Sequence, residues 1–529
     1  MQFVSLGFAA FLAAVFVLYY LLPKRFQWIL LLIASYVFYF FAGKTYLIFI
    51  TVTSVTVYLL GRRIGALSEE QSAYLKAHKA ELSAEEKKAY KAGIKKKKRT
   101  ALLVGLLINL GILAALKYTN FAVRNINSVL SAFGAQGELQ LVDFVLPMGI
   151  SFYTFQAVGY LIDVWRGNYP PEKSLPKFML FVSFFPQLIQ GPISRFNDLS
   201  QTLYAPHDFD KKGVTNGFRR VLWGYFKKMV IADRLLTAVT GIIDAPDVYG
   251  GIFVFIGMLL YAVELYADFT GGIDITIGIA EMFGIKVKEN FDRPYLSKNI
   301  EEYWRRWHIT MGTWFRDYIF YPLSASKPML KFVKKSRAAL GDGFGKRLPL
   351  YVSTLIVWFA TGIWHGASWN FIVWGLLNGF VIIISQELQP FYAWFHAHVK
   401  VEGTKIWDAF RVVRTFVLMC FIRSLDCYPT VGTTFKMMGE IFLRPNFAAV
   451  TGQAFIDLGL GAGDYIVAAV GVVAMTAVSL VGIKRPVRDR LSDNTFVNCA
   501  SFVVLALAIV IFGAYGIDYD ASRFIYGQF

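Results

Sequence analysis

Two histidines, His308 and His365, lie in stretches that read as membrane-embedded, where little other titratable chemistry reaches. His365, within Thr361-Gly362-Ile363-Trp364-His365-Gly366, follows a largely apolar run from Pro349 to Trp364. At ~1.5 Å per residue that run crosses roughly 24 Å of a ~30 Å hydrocarbon core. An ionisable ring at that depth costs free energy and calls for a partner or a task. A neutral imidazole is the usual general base near neutral pH, and an apolar pocket keeps it unprotonated. Such a base could take the proton of a hydroxyl as its oxygen attacks a thioester carbonyl. Asn370, five positions on, could donate to the developing oxyanion or make a helix–helix hydrogen bond. Each histidine equally fits a core residue bonded to a carbonyl, although Thr361 and Gly366 leave room around His365.

The elements that must position these groups come next. Residues 289–330 read as a re-entrant or interfacial region: Asn290-Phe291-Asp292-Arg293-Pro294-Tyr295 is turn-like, and a helix is predicted from Glu301 onward. Trp304, Trp307, His308, Met311, Phe315 and Tyr318 recur at helical spacing and form one apolar face, with Arg305, Arg316 and Asp317 elsewhere on that helix. Irregular backbone at depth must be buried in protein or line a cavity, so this region is expected to wall a polar pocket. Glu264 and Asp268 are four apart and share a helix face, and Asp274 follows Gly271-Gly272. In a transporter they would carry protons or cations; in an enzyme they would pair with the arginines near His308 and hold the wall.

Composition sets the class. The chain has 529 residues, 56% hydrophobic and 17% charged, against about 25% charged in an ordinary soluble domain. An all-α polytopic membrane protein follows, a single integral-membrane domain over 1–529. Candidate spans are 3–22, 26–42, 44–60, 101–117, 144–162, 178–193, 218–240, 250–283, 349–364, 367–386, 406–425, 464–483 and 497–516. With some re-entrant or interfacial, ten to twelve crossings are expected. The first stretch lacks a basic n-region and a small-residue cleavage site, and reads as a retained anchor.

Net charge is +18. The loop 61–99 holds twelve Lys/Arg against five Glu and ends in Lys95-Lys96-Lys97-Lys98-Arg99. Its juxtamembrane position favours anionic lipid head groups over nucleic acid and places it in the cytoplasm. Residues 68–98 are expected to form one solvated amphipathic helix. The N-terminus then faces outside, Pro23-Lys24-Arg25 and the basic stretch 327–347 face inside, and His365 lies toward the external end of its span. Lys484-Arg485-Pro486-Val487-Arg488 should be inside, leaving the C-terminus outside.

Several chemistries find no support. Cys420, Cys427 and Cys499 lack metal or redox spacing, and His396 with His398 has too few companions for a metal site. Gly341-Asp342-Gly343-Phe344-Gly345-Lys346 does not fit a phosphate loop, and no Gly-x-Ser-x-Gly elbow occurs. Neither membrane histidine is followed by aspartate at the spacing of soluble acyltransferases, since position 313 is threonine and 370 asparagine.

Glu302-Tyr303-Trp304-Arg305-Arg306-Trp307-His308, Thr313-Trp314-Phe315-Arg316-Asp317-Tyr318 and Gly362-Ile363-Trp364-His365-Gly366-Ala367 resemble the membrane-bound O-acyltransferase family, in its bacterial alginate O-acetyltransferase branch. Tyr266-Ala267-Asp268-Phe269-Thr270-Gly271, Pro186-Gln187, Gln190-Gly191-Pro192-Ile193 and the terminal Phe524 to Phe529 fit that branch. The resemblance implies a central tunnel in a multi-pass protein of the bacterial inner membrane. Through it an acyl group, presented as acetyl-CoA and without a metal, would pass to an extracytoplasmic acetyltransferase or acceptor protein and on to a polysaccharide. It makes His365 the catalytic base or a transient acyl carrier, and His308 the group that orients the acyl or shares the proton. Arg305 and Asp317 would support the wall; Trp364 and Trp304 would shape the pocket. Ser324-Ala325-Ser326, Gly527 and the loop 327–348 depart from the branch pattern and leave the acceptor open. D-alanyl transfer to teichoic acid is the alternative within the family. A proton-coupled transporter or flippase of lipid-linked sugar is the alternative outside it, and an assembly scaffold is a third reading.

Overall fold

A computed structural model describes residues 3–135, 137–483 and 485–515; Lys484 and the terminal Phe524 to Phe529 motif lie outside them. The described chain is helical, and no strand occurs among those residues. Eight helices are long and apolar enough to cross a membrane. They answer to eight of the thirteen sequence stretches. The other five fall short for visible reasons. The first, α1 (Leu6–Leu21), has 16 residues. Residues 144–162 become helical only at Ile150. The stretch 178–193 breaks at Phe184 into a second, four-residue helix, Phe185–Leu188, and a buried irregular segment. Residues 218–240 and 406–425 carry several charges.

The chain divides into two compact units. Unit 1, Met1–Val214 with Ala280–Val287, contains α1, α2 (Gln27–Ala42), α3 (Tyr46–Ala77), α4 (Ala84–Ala132) and α5 (Ile150–Arg166). At ~1.5 Å per residue α4 is roughly 74 Å long, well beyond a bilayer of about 40–45 Å, so it must project into water. The basic segment is therefore the end of a hairpin rather than one helix: α3 stops at Ala77 and α4 starts at Ala84. The break has a local cause. Ser83 caps α4 by accepting from the Glu86 N–H at 3.2 Å, while Glu86 accepts from the Ser83 N–H at 2.8 Å. Closer to the membrane α4 packs on α5 through a small residue: a Cβ on Gly105 would stand 2.3 Å from Leu161 of α5.

Unit 2, Thr215–Ile279 with Lys288–Phe529, holds both histidines. A helix Lys211–Tyr225 (α6) passes through one π-helical turn, Phe226–Ala232, into Asp233–Ile243 (α7). The long α8 (Ile252–Met282) follows, then two short helices, α9 (Ile300–Arg306) and α10 (Ile309–Phe315). Next come α11 (Phe344–His365), α12 (Trp369–Glu387), α13 (Lys405–Arg423), α14 (Ala462–Val481) and α15 (Thr495–Phe512).

α11 and α12 form a tight hairpin because glycine removes the side chains between them. A Cβ on Gly375 would lie 2.3 Å from the Trp358 carbonyl oxygen and 3.0 Å from Gly362 Cα. One on Gly362 would lie 2.4 Å from the Phe371 carbonyl oxygen. These neighbours are backbone and cannot step aside. Gly375→Ala is therefore expected to destabilise the detergent-solubilised protein by about 1–3 kcal/mol, read as a lowered thermal unfolding midpoint. Gly439→Ala, with nothing within 4 Å of the added Cβ, should leave the midpoint unchanged or raised. Equal midpoints for the two variants would contradict this packing.

Candidate active site

His308 is fully buried and does not sit inside a continuous helix. α9 ends at Arg306, His308 adopts a left-handed backbone (φ 47°, ψ 53°), and α10 starts at Ile309. A non-glycine residue held there stores local strain that its surroundings must overcome. The surroundings are residues 290–292. The Ile309 N–H donates to the Asn290 carbonyl oxygen at 3.0 Å, and the Asp292 N–H to that of Arg306 at 2.9 Å. The apolar stripe predicted as one helix face is thus split between two helices, with the histidine at the break.

Asn290 decides the tautomer of His308. Its Oδ1 accepts from the Thr310 N–H at 3.0 Å and from Thr310 Oγ1 at 2.9 Å. An atom that accepts from a backbone N–H must be the amide oxygen. His308 Nδ1, 3.3 Å from that oxygen, therefore carries the hydrogen, and Nε2 keeps the lone pair. His308 lies outside the eight spans. Burial, and secondly the Arg423 charge, push its imidazole down to about 3. It is a neutral ring with one basic nitrogen.

His365 is the last residue of α11 and is 5% exposed. The room that glycine leaves beside it is filled by Phe371: a Cβ on Gly366 would stand 2.1 Å from that ring. The Trp364 indole joins the two histidines, with its centroid 5.0 Å from His365 and 5.9 Å from His308. Trp374 stands 4.6 Å from His365 on another side, and Phe269 5.0 Å from His308. Behind this aromatic layer is Arg423, its guanidinium 4.7 Å from the Trp307 ring, 5.4 Å from Trp374 and 5.7 Å from Trp304. Asp426 accepts from it at 3.2 Å. A cation among three indole faces is held by their quadrupoles in a place where water is excluded.

The remaining residues singled out in the sequence fall in different places. Trp304 borders the site and donates to Asn378 at 3.0 Å. Asn370 directs its amide to the carbonyl oxygens of Leu425 and Tyr428 at 3.1 and 2.7 Å, so it ties α12 to the loop after α13. Arg305 is largely exposed, 3.9 Å from Glu301, and Asp317 pairs with Arg316 at 2.9 Å. Asn290, Trp374 and Arg423 were not singled out in the sequence. Among the described residues no hydrogen bond reaches Trp374 Nε1, a buried donor beside His365, and such a group costs free energy unless something is bound to it.

Asp268 and Asp274 of α8 pair with lysines of the π turn, not with the arginines near His308, while Glu264 is buried one turn before Asp268. Lys228 lies 2.6 Å from Asp268 and 2.7 Å from Asp233. Lys227 lies 2.7 Å from Asp274, which Arg220 also reaches at 2.8 Å. Arg220 then grips Glu289 through two bonds of 2.7 and 2.6 Å. Glu289 precedes Asn290, so this ladder, buried at its lysines and open at Glu289, anchors the segment that orients His308. Among the described residues no group of three or more His, Cys, Asp or Glu could hold a metal ion.

The model of the membrane-bound O-acyltransferase family matches residues 172–340. The probable alginate O-acetylase AlgI of Azotobacter vinelandii is 35% identical over 374 residues, covering 70% of this chain and 66% of that protein. The AlgI protein of Pseudomonas putida is 34% identical over 373 residues, 70% of this chain and 67% of its own. A peptidoglycan O-acetyltransferase of Helicobacter pylori is 32% identical over 330 residues, 56% of this chain and 58% of its own. The chain thus spans just under two thirds of the length of the first of these relatives.

Two measurements check the geometry. ¹⁵N shifts of the labelled His308 ring should report the Nδ1–H tautomer, and Asn290→Ala should mix in the other; an Nε2–H ring in the native protein would contradict the assignment. Lys228→Met leaves Asp268 and Asp233 without their shared lysine and should cost about 3–5 kcal/mol of stability. A midpoint equal to that of the native protein would show the pair to be dispensable.

Proposed function

The chain belongs to the membrane-bound O-acyltransferase family, and from that premise we propose that it transfers an acetyl group from cytosolic acetyl-CoA toward a hydroxyl acceptor on an exported or cell-wall polysaccharide. The acceptor is reached directly or through an extracytoplasmic acetyltransferase. The observation that carries this reading is the pair of histidines on one indole, one of them fixed as the Nδ1–H tautomer.

The chemistry follows from the ring states. His365 takes the proton of the acceptor hydroxyl as its oxygen bonds to the thioester carbonyl carbon. The tetrahedral intermediate collapses, the C–S bond breaks, and the thiolate leaves with the proton returned by His365. The products are an ester and a free thiol. Two roles were anticipated for His308. An Nε2 lone pair cannot donate to an acyl oxygen, so the tautomer favours sharing the proton: once His365 has taken it from the hydroxyl, the His308 lone pair is a second place for it to rest before it returns to the thiolate. With the Asn370 amide engaged elsewhere, Trp374 Nε1–H is the proposed donor to the developing oxyanion. The buried pairing of Asp268 with Lys228 favours a structural role for that carboxylate over a proton path.

Purified protein given radiolabelled acetyl-CoA and an acceptor tests the reading. His365→Ala should lower transfer by about 10²–10⁴-fold, and His308→Ala should lower kcat comparably. Trp374→Phe keeps the ring and loses the donor, and is expected to cost about 10²-fold or more in kcat. Undiminished transfer by both histidine variants would overturn the proposal.

A further inference from the structure

Away from the histidines, unit 2 contains three adjoining cavities of about 170, 290 and 470 Å³, all bordered by Tyr266 and Ser479. They follow one face of α14 from Val472 to Gly482. Ten residues of helix are roughly 15 Å, the depth of one leaflet's hydrocarbon. Along this length the lining is apolar, with Val263, Val412, Phe416, Val472 and Met475. At the far end it turns cationic, where Arg219, Arg220, Arg293 and Arg488 surround the largest cavity.

The carboxylates there, Asp274, Glu289 and Asp292, are already held: the first two by Arg220, the third by Arg293. With Lys227, five cations face three carboxylates. α14 and α15 wall the groove and turn outward, with only 17% and 0% of their apolar windows buried. The groove therefore borders the bilayer rather than the cytosol. The positive-inside rule sets its basic end, next to Arg485 and Arg488, at the cytoplasmic leaflet, where anionic lipids concentrate.

We infer that this groove is a binding site for one anionic glycerophospholipid, with an acyl chain along α14 and the phosphate at the arginine mouth. Arg219 and Arg220 direct their donors to protein partners. Arg293, which also pairs with Asp292, and Arg488 border the same cavity and are the arginines to substitute. A soluble phosphate compound offers the same head-group chemistry but leaves the apolar length unfilled.

The test is native mass spectrometry of the full chain with phosphatidylglycerol or phosphatidylcholine of identical chains. Phosphatidylglycerol should be retained roughly tenfold better, as about two cationic contacts allow. Arg293→Gln with Arg488→Gln should abolish the preference, and Ser479→Trp, which fills the groove, should weaken both lipids. Equal retention by the native protein, or a preference that survives both variants, would overturn the site. Displacement of phosphatidylglycerol by coenzyme A would reassign the mouth to a soluble phosphate compound and overturn it as well.

Discussion

The amide oxygen of Asn290 is the point on which the arrangement around the histidines depends. It accepts from Thr310 twice and from His308 once, and those bonds do three things together. They start α10, they hold His308 in a left-handed conformation that a histidine would otherwise avoid, and they fix which ring nitrogen keeps its lone pair. A buried acceptor with three donors is satisfied only in this geometry, so the strained backbone persists. The free energy that holds a reactive ring in one state comes here from a neutral amide, where an added charge would alter the ring's own proton affinity.

The same economy of polar contacts runs through unit 2. Consecutive lysines in an ordinary helix point about 100° apart. In the π turn of residues 226–232, Lys227 and Lys228 each reach a carboxylate of the neighbouring spanning helix. Unpaired, those charges would be prohibitively costly in an apolar interior. Paired, they lock α6 to α8 and, through Arg220 and Glu289, set the position of Asn290. On the other side the glycines of α11 and α12 bring their backbones close enough for Trp364, His365 and Trp374 to pack as one layer. Arg423 closes that layer from behind.

Much of this was legible in the sequence. The spanning helix that ends at His365, the helical class and the family motifs follow from residue types and spacing, because an apolar environment leaves a strong compositional signal. What was hidden has a common cause: it depends on contacts between distant segments. Periodicity continues smoothly through Trp307 and His308, and nothing in it announces the break that Asn290 imposes from 18 positions upstream. The span over 178–193 is apolar enough, yet folds as two short helices broken at Phe184 and a buried irregular segment. Asn370 looked available because the carbonyls of Leu425 and Tyr428 that it serves are more than fifty residues away. Residues 68–98 read as one helix since their charges keep helical spacing across the turn; the Ser83 and Glu86 pattern of a capping box is the signal to weigh.

The central claim is that His308 and His365 act as one unit across the Trp364 indole. A double-mutant cycle on single-turnover acetyl transfer tests it most directly, comparing native protein, His308→Ala, His365→Ala and the double variant. Groups that share one proton transfer are strongly non-additive. The account predicts a double variant no slower than the slower single variant. A loss equal to the product of the two single losses would show the histidines acting independently, and would contradict it.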